Sequence, residues 1–215
     1  MYDLREFLTK ACGFPETELV SDELYCTETN LEKSFLPDSM HGAFCGYTYT
    51  LVLQGELSIN YNGRDVILRS GDLFIYMAGA KYAINGGSDD YHGICLLVSE
   101  TLAYDLSLSR KFIQVSYYPL ADINMPCIRL SKVQMQHFHE LLMVIKGYIH
   151  SSHRYLKESL RTLLTLFLLD LMNVAENNPP PKSTNNHSGE LFVVFVQLAT
   201  KHYIKEIGRA SCRER

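Results

Sequence analysis

The sequence has no surplus of basic residues to lay along a phosphate backbone. Its 20 Lys and Arg stand against 24 Asp and Glu, a formal net charge of -4 with an isoelectric point near 6.1. That balance argues against DNA binding by the chain as it stands. A long apolar run is also missing. Met1 to Lys10 carries no hydrophobic stretch behind a basic start, so neither a signal peptide nor a transit peptide is expected. The most apolar later run, Leu163 to Met172, is interrupted by Thr165 and Asp170 and is too short to span a bilayer. A soluble cytoplasmic protein with no membrane partner is the expectation. The cysteines, at Cys12, Cys26, Cys45, Cys95, Cys127 and Cys212, form no CxxC pair and no metal-ligand spacing, so reduced buried thiols are expected. No nucleophile motif, carboxylate pair or phosphate-binding loop stands out. Gly55, Gly63, Gly71 and Gly79 are turn glycines, since none opens a helix after a strand. These absences predict a protein that is not an enzyme and uses no cofactor.

What is present is enough for a folded domain. The 215 residues are 47% hydrophobic and 20% charged, which allows a full core and one or two domains. The chain is organised around Tyr47 to Ser99. Short runs of aliphatic, aromatic and β-branched residues are separated there by Gln54-Gly55-Glu56, Asn62-Gly63, Ser70-Gly71-Asp72 and Asn85-Gly86-Gly87, the punctuation of an all-β barrel or sandwich. Leu57, Ile59 and Tyr61 alternate with Glu56, Ser58 and Asn60 as in a half-buried strand. Asn62-Gly63 predicts a tight hairpin, because both central residues of a type I′ turn need positive φ. Ile94 to Val98 is almost continuously apolar and predicts a central strand covered on both faces. Consecutive strands joined by tight turns are antiparallel.

Residues 1–46 are broken by Gly13, Pro15, Asn30, Pro37, Asp38 and Gly42 and read as an arm wrapping the barrel, with Leu4, Phe7 and Leu8 on one face of a short helix. Past Ser99 the pattern turns helical. Glu100 to Lys111 predicts a short helix, and Ser131-x-x-Gln134 is a capping box ahead of a helix from Lys132 to about Ile149. A second helix, from about Arg154 to Ala175, carries Leu163, Phe167 and Leu171 on its main stripe, with Leu166 and Leu169 beside it. A helix this apolar around its circumference wants more than one partner. A homodimer contact through Leu163, Leu166, Phe167, Leu169 and Leu171 is one reading, and burial within one subunit is the other. Asn177 to His187 is a proline-rich linker, and a further helix starts at Glu190 with no neighbour of its own to pack on.

At these residues a resemblance becomes specific. Leu53-Gln-Gly-Glu-Leu57, Asn62-Gly63, Ser70-Gly71-Asp72-Leu-Phe74 and Met77-Ala-Gly-Ala-Lys-Tyr82 together resemble the cupin-type sensor domain of AraC-family transcription regulators, and Leu191 to Lys205 is similar to the segment that opens that family's DNA-binding domain. The resemblance implies an α+β chain: an antiparallel cupin-like barrel (double-stranded β-helix or jelly roll) followed by an α-helical dimerisation segment. Its implied divisions are an arm (1–46), barrel core (47–99), helical segment (100–176), linker (177–189) and the first helix of a DNA-binding domain (190–206). Residues 207–215 resemble a translated sequencing-adapter read-through, so the expectation is a chain cut just inside that domain, which would bind DNA only in the full-length protein. The implied partners are a small-molecule effector and a second copy. The competing expectation is a stand-alone cupin enzyme.

Metal-binding cupins share a His-x-His, a Glu and a later His. Here the corresponding strand reads Tyr49-Thr50-Leu51-Val52 and the later position falls at Tyr82, so no metal is expected. His137 and His139 are two apart on a helix and point to nearly opposite faces. The candidate effector-pocket residues are Tyr49, Tyr61, Tyr76, Tyr82, Tyr91 and His92. Phenols offer an apolar face and a polar tip to a ligand, although they fill barrel cores equally well.

Overall fold

The computed structural model describes residues 2–15, 19, 21–32, 44–76, 82–107, 127–152 and 154–177. The expected linker beyond Asn177, the helix at 190–206 and the terminal 207–215 lie outside the described residues, as does His41. Among the described residues eight strands run β1 (Leu24–Thr29), β2 (Gly46–Gln54), β3 (Glu56–Tyr61), β4 (Arg64–Arg69), β5 (Asp72–Tyr76), β6 (Tyr82–Gly87), β7 (His92–Ser99) and β8 (Cys127–Arg129). The helices are α1 (Leu4–Glu6), which continues into a π turn at Phe7–Ala11, α2 (Glu100–Ser107), α3 (Lys132–Ile149) and α4 (Leu156–Asn177).

Every strand pair is antiparallel. One sheet has the order β1-β7-β2-β5-β8 and the other β4-β3-β6. Among the described residues no strand is shared between the two sheets, so the expected cupin-like barrel is not closed; the chain crosses from one sheet to the other at Gly55, at Ser70-Gly71 and between Gly87 and His92. Gly55 turns with φ +70°, and a Cβ there would lie 2.5 Å from Ser88 Oγ and 2.8 Å from Tyr91 Cα. The β3–β4 turn has positive φ at both Asn62 (50°) and Gly63 (82°), as the hairpin requires.

Strand alternation then sorts the side chains. Tyr49 and Leu51 of β2, Leu73 and Ile75 of β5, and Ile94, Leu96 and Val98 of β7 share one core with Phe138, Leu142 and Ile145 of α3 and Leu164, Phe167 and Leu171 of α4. On the opposite face, Val52, Phe74 and Tyr76 meet Leu57, Ile59 and Tyr61 of the smaller sheet. A third cluster sets Leu4, Phe7 and Leu8 against Tyr25, Cys95 and Leu97. Strand β7 is thus apolar on both faces because helices cover one and the N-terminal segment the other. Strand β1 escaped the sequence reading. Leu24-Tyr-Cys-Thr-Glu-Thr29 carries no clean period, yet it pairs along its full length with β7, from Leu24 opposite Val98 to Thr29 opposite Gly93.

Helix α3 begins where its capping box places it. Ser131 Oγ accepts from Gln134 N at 3.3 Å and Gln134 Oε1 accepts from Ser131 N at 2.8 Å. Ser131→Ala is expected to lower stability by about 1 kcal/mol in urea unfolding, and Ser131→Asp to retain most of it.

Candidate functional site

The alternation that sends Tyr49 and Leu51 toward the helices turns Thr48 and Thr50 toward the second sheet. There they line a cavity with Tyr76 of β5 and Cys95 of β7. The opposing wall is apolar, built from Leu57, Ile59, Leu68 and Ile84, while Phe74 lies on the same side as Tyr76. Thr29, the last residue of β1, and Tyr91, just ahead of β7, are the other described lining residues. The cavity volume is about 30 Å³, room for one or two waters.

Its polar groups are hydroxyls and a thiol. The Thr29 and Tyr91 hydroxyls lie 3.1 Å apart, and Thr50 Oγ1 donates to Cys95 Sγ at 3.6 Å. Gly93 makes space for the first pair, since a Cβ there would sit 2.9 Å from the Tyr91 hydroxyl and 3.1 Å from Thr29 Oγ1. Burial pushes the Tyr76 and Tyr91 phenols and the Cys95 thiol up to about 12 each. Such a site favours neutral groups. No described lining residue is charged.

Charges instead tie β1 to the helices. Glu28 accepts from Lys146 of α3 and lies 3.3 Å from His92 Nε2, and the Lys146 hydrogen bond holds its carboxyl below the ordinary range. Cys26 Sγ donates to the Leu142 carbonyl of α3 at 3.5 Å. Just before β1, Glu23 accepts from Arg161 of α4 at 2.8 Å and pairs with Lys157 at 3.0 Å, while Arg161 also reaches Asp105 of α2 at 3.2 Å. The Arg161 hydrogen bond is the main cause of the lowered Glu23 carboxyl.

Of the sequence-predicted pocket residues, Tyr76 and Tyr91 line the cavity. Tyr61 is buried beside it with its ring edge-on to Phe74 at 5.3 Å, but forms no part of the lining. Tyr49 faces away, 5.2 Å from the Phe167 ring, because it sits one residue out of step with Thr48 and Thr50. Tyr82 opposes Tyr61 in the strand register, and His92 forms no part of the lining; its Nε2 lies 3.3 Å from Glu28, in strand step with the helix-facing Ile94 and Leu96. Thr29, Thr48, Thr50 and Cys95 were missed. The usable signal for two of them was a pair of threonines two apart in an otherwise apolar strand.

On α4, Phe167 and Leu171 are inside the chain's own core and Leu163 is partly buried, whereas Leu166 and Leu169 are 45% and 47% exposed. Helix α3 adds Val133, 81% exposed, and Val144. His137 Nε2 meets Asp170 Oδ2 at 2.8 Å across α3 and α4. Among the described residues, no three His, Cys, Asp or Glu side chains gather as a metal site, and no helix is long and apolar enough to cross a membrane.

No protein-family model and no curated protein matches the chain. Among solved structures it is similar to ToxT from Vibrio cholerae, at 10% identity over 81% of this chain and 65% of that one, with a TM-score of 0.39. It is also similar to the AraC-like transcriptional activator CuxR, at 12% identity over 68% and 49%, TM-score 0.35. A cupin protein from Bacteroides fragilis aligns at 19% identity over 36% and 67%, TM-score 0.28. The chain therefore spans between 49% and 67% of the length of these neighbours.

Proposed function

We propose that this chain is the effector-binding and dimerising part of an AraC-like transcription regulator, working in the cytoplasm and without catalytic activity. The observation that carries the reading is the hydroxyl-lined cavity at the end of β1, the strand whose Glu28, with Glu23 just ahead of it, holds both long helices. A ligand that displaced the Tyr91 hydroxyl from Thr29 would act on β1, and β1 is anchored to α3 through Glu28 and to α4 through Glu23. Effector binding would then shift the population of helix arrangements that set the spacing of paired DNA-binding domains. The sequence order of strands, helices, proline-rich linker and apolar segment supports the regulator assignment. Re-sequencing from intact genomic DNA across the codons for Lys205 to Arg215 tests it. A frame that continues into a basic segment with two helix-turn-helix patterns supports the reading, and a genuine stop after Arg215 removes DNA binding from it.

Dimerisation is assigned to the outer face of α4. Leu166 and Leu169 lie three apart, one turn of a helix, and remain outside the chain's own core. The chain is expected to sediment as a dimer, and Leu166→Glu with Leu169→Glu to sediment as a monomer whose unfolding free energy changes by no more than about 0.5 kcal/mol per exposed site. A wild-type monomer at high micromolar concentration would remove the dimer from the proposal. The cavity's 30 Å³ supports a second reading, in which the domain dimerises but its pocket is filled by its own side chains.

A further inference from the structure

The cavity's chemistry narrows what it can hold, on the reading that it binds an effector at all. We propose that its ligand is a small uncharged molecule, with an apolar body set against Leu57, Ile59 and Leu68 and one polar group taken up by the hydroxyls of Thr29, Thr50 and Tyr91, and that anions are rejected.

Three observations converge on this class. The polar side is made of groups that both donate and accept, so an alcohol, amide or carbonyl oxygen can be satisfied there without any change of ionisation. A carboxylate would need a cation or several fixed donors to offset its lost hydration, since burying an uncompensated charge is far more costly than burying a neutral polar group. Among the described residues, Lys146 is engaged on Glu28, Arg161 on Glu23 and Asp105, and Arg69 on Glu56. Finally, the burial that keeps Tyr76, Tyr91 and Cys95 protonated acts equally against a ligand's negative charge. Size sets a further limit. A space of about 30 Å³ holds one or two water-sized groups, so side chains must move to admit the apolar body, which keeps the ligand small.

The test uses matched neutral and anionic probes on the full chain at pH 7: acetamide against acetate, and n-butanol against butyrate. The readout is the methyl NMR spectrum of protein labelled at threonine. The neutral member of each pair is expected to shift the Thr29, Thr48 and Thr50 methyl signals saturably, with its anion at least about tenfold weaker. Thr50→Val and Tyr91→Phe, which keep shape and remove a hydroxyl, are each expected to weaken acetamide about threefold to tenfold. Equal or tighter binding of the anions at the same methyl groups overturns the proposal while leaving effector binding intact. If neither class shifts those signals at millimolar concentration, the effector reading falls with it.

Discussion

Phe167→Ala is expected to lower the unfolding free energy by about 3–5 kcal/mol, the range for removing a fully buried aromatic ring from a packed core. The position is extreme in this chain. Phe167 is 0% exposed, its ring 5.2 Å from Tyr49 at 76° and 5.5 Å from Phe138 at 84°. These edge-to-face contacts join the larger sheet, α3 and α4 through one side chain, and each contributes about 0.5–1.5 kcal/mol beyond area burial. The cavity left behind cannot easily close, because its walls are two helices and a sheet fixed by their own hydrogen bonds. Against a total stability of about 5–15 kcal/mol, the loss is large enough to lower Tm by roughly 10 °C or more. Leu166→Ala, one residue away but 45% exposed, is the control and is expected to stay within about 0.5 kcal/mol in the monomer. Equal effects at the two positions in urea unfolding would mean that α4 is seated on a different face.

The contrast between Phe167 and Leu166 also marks how far the sequence could be read. Periodicity was sufficient to place α3 from Lys132 to Ile149 and to give α4 its apolar stripe. It could not say which leucines around that helix meet the chain's own core, because that depends on the angle at which α4 crosses α3 and the sheet. The strands from Tyr47 onward were legible because turns at Gly55, Asn62-Gly63 and Gly71 frame them. Strand β1 was not: its partner β7 lies about 70 residues downstream, and Cys26 and Glu28 serve contacts with α3, and Thr29 the cavity, that no local pattern encodes. The same limit explains the pocket. Tyrosines were the natural candidates by chemistry, yet the alternation of β2 gives its inner face to Thr48 and Thr50 and sends Tyr49 to Phe167. Side-chain chemistry proposed the ligands of the cavity, and strand parity decided among them.

Raising the pH from 8 to 11 is expected to unfold the protein, and the cause is burial of thiols. Cys12, Cys26, Cys45, Cys95 and Cys127 are thiols in no disulfide. Desolvation raises Cys12, Cys95 and Cys127 from 9.0 to about 12, and it raises Cys26, beneath α3, as well. In the unfolded chain these groups lose their protons near pH 9, whereas the folded chain keeps them protonated until about 12. The folded state therefore binds more protons throughout that window, and stability must fall as pH rises. The contribution is fully present below pH 9 and is progressively lost above it. Each such thiol removes about 1.4 kcal/mol per pH unit, and the Tyr76 and Tyr91 phenols, raised from 10.0 to about 12, join above pH 10. By pH 11 the combined loss is a large share of the roughly 5–15 kcal/mol that stabilises a domain. Urea unfolding under reducing conditions at half-unit steps from pH 8 gives the measurement, with the midpoint expected to hold to about pH 8.5 and then fall steeply. Cys95→Ala and Cys127→Ala together should make that descent shallower by the share of two thiols, even though each substitution costs some packing at pH 8. A midpoint that stays level to pH 11 would place these sulfurs in contact with solvent, and with Cys95 it would open the cavity wall on which the neutral-ligand proposal rests.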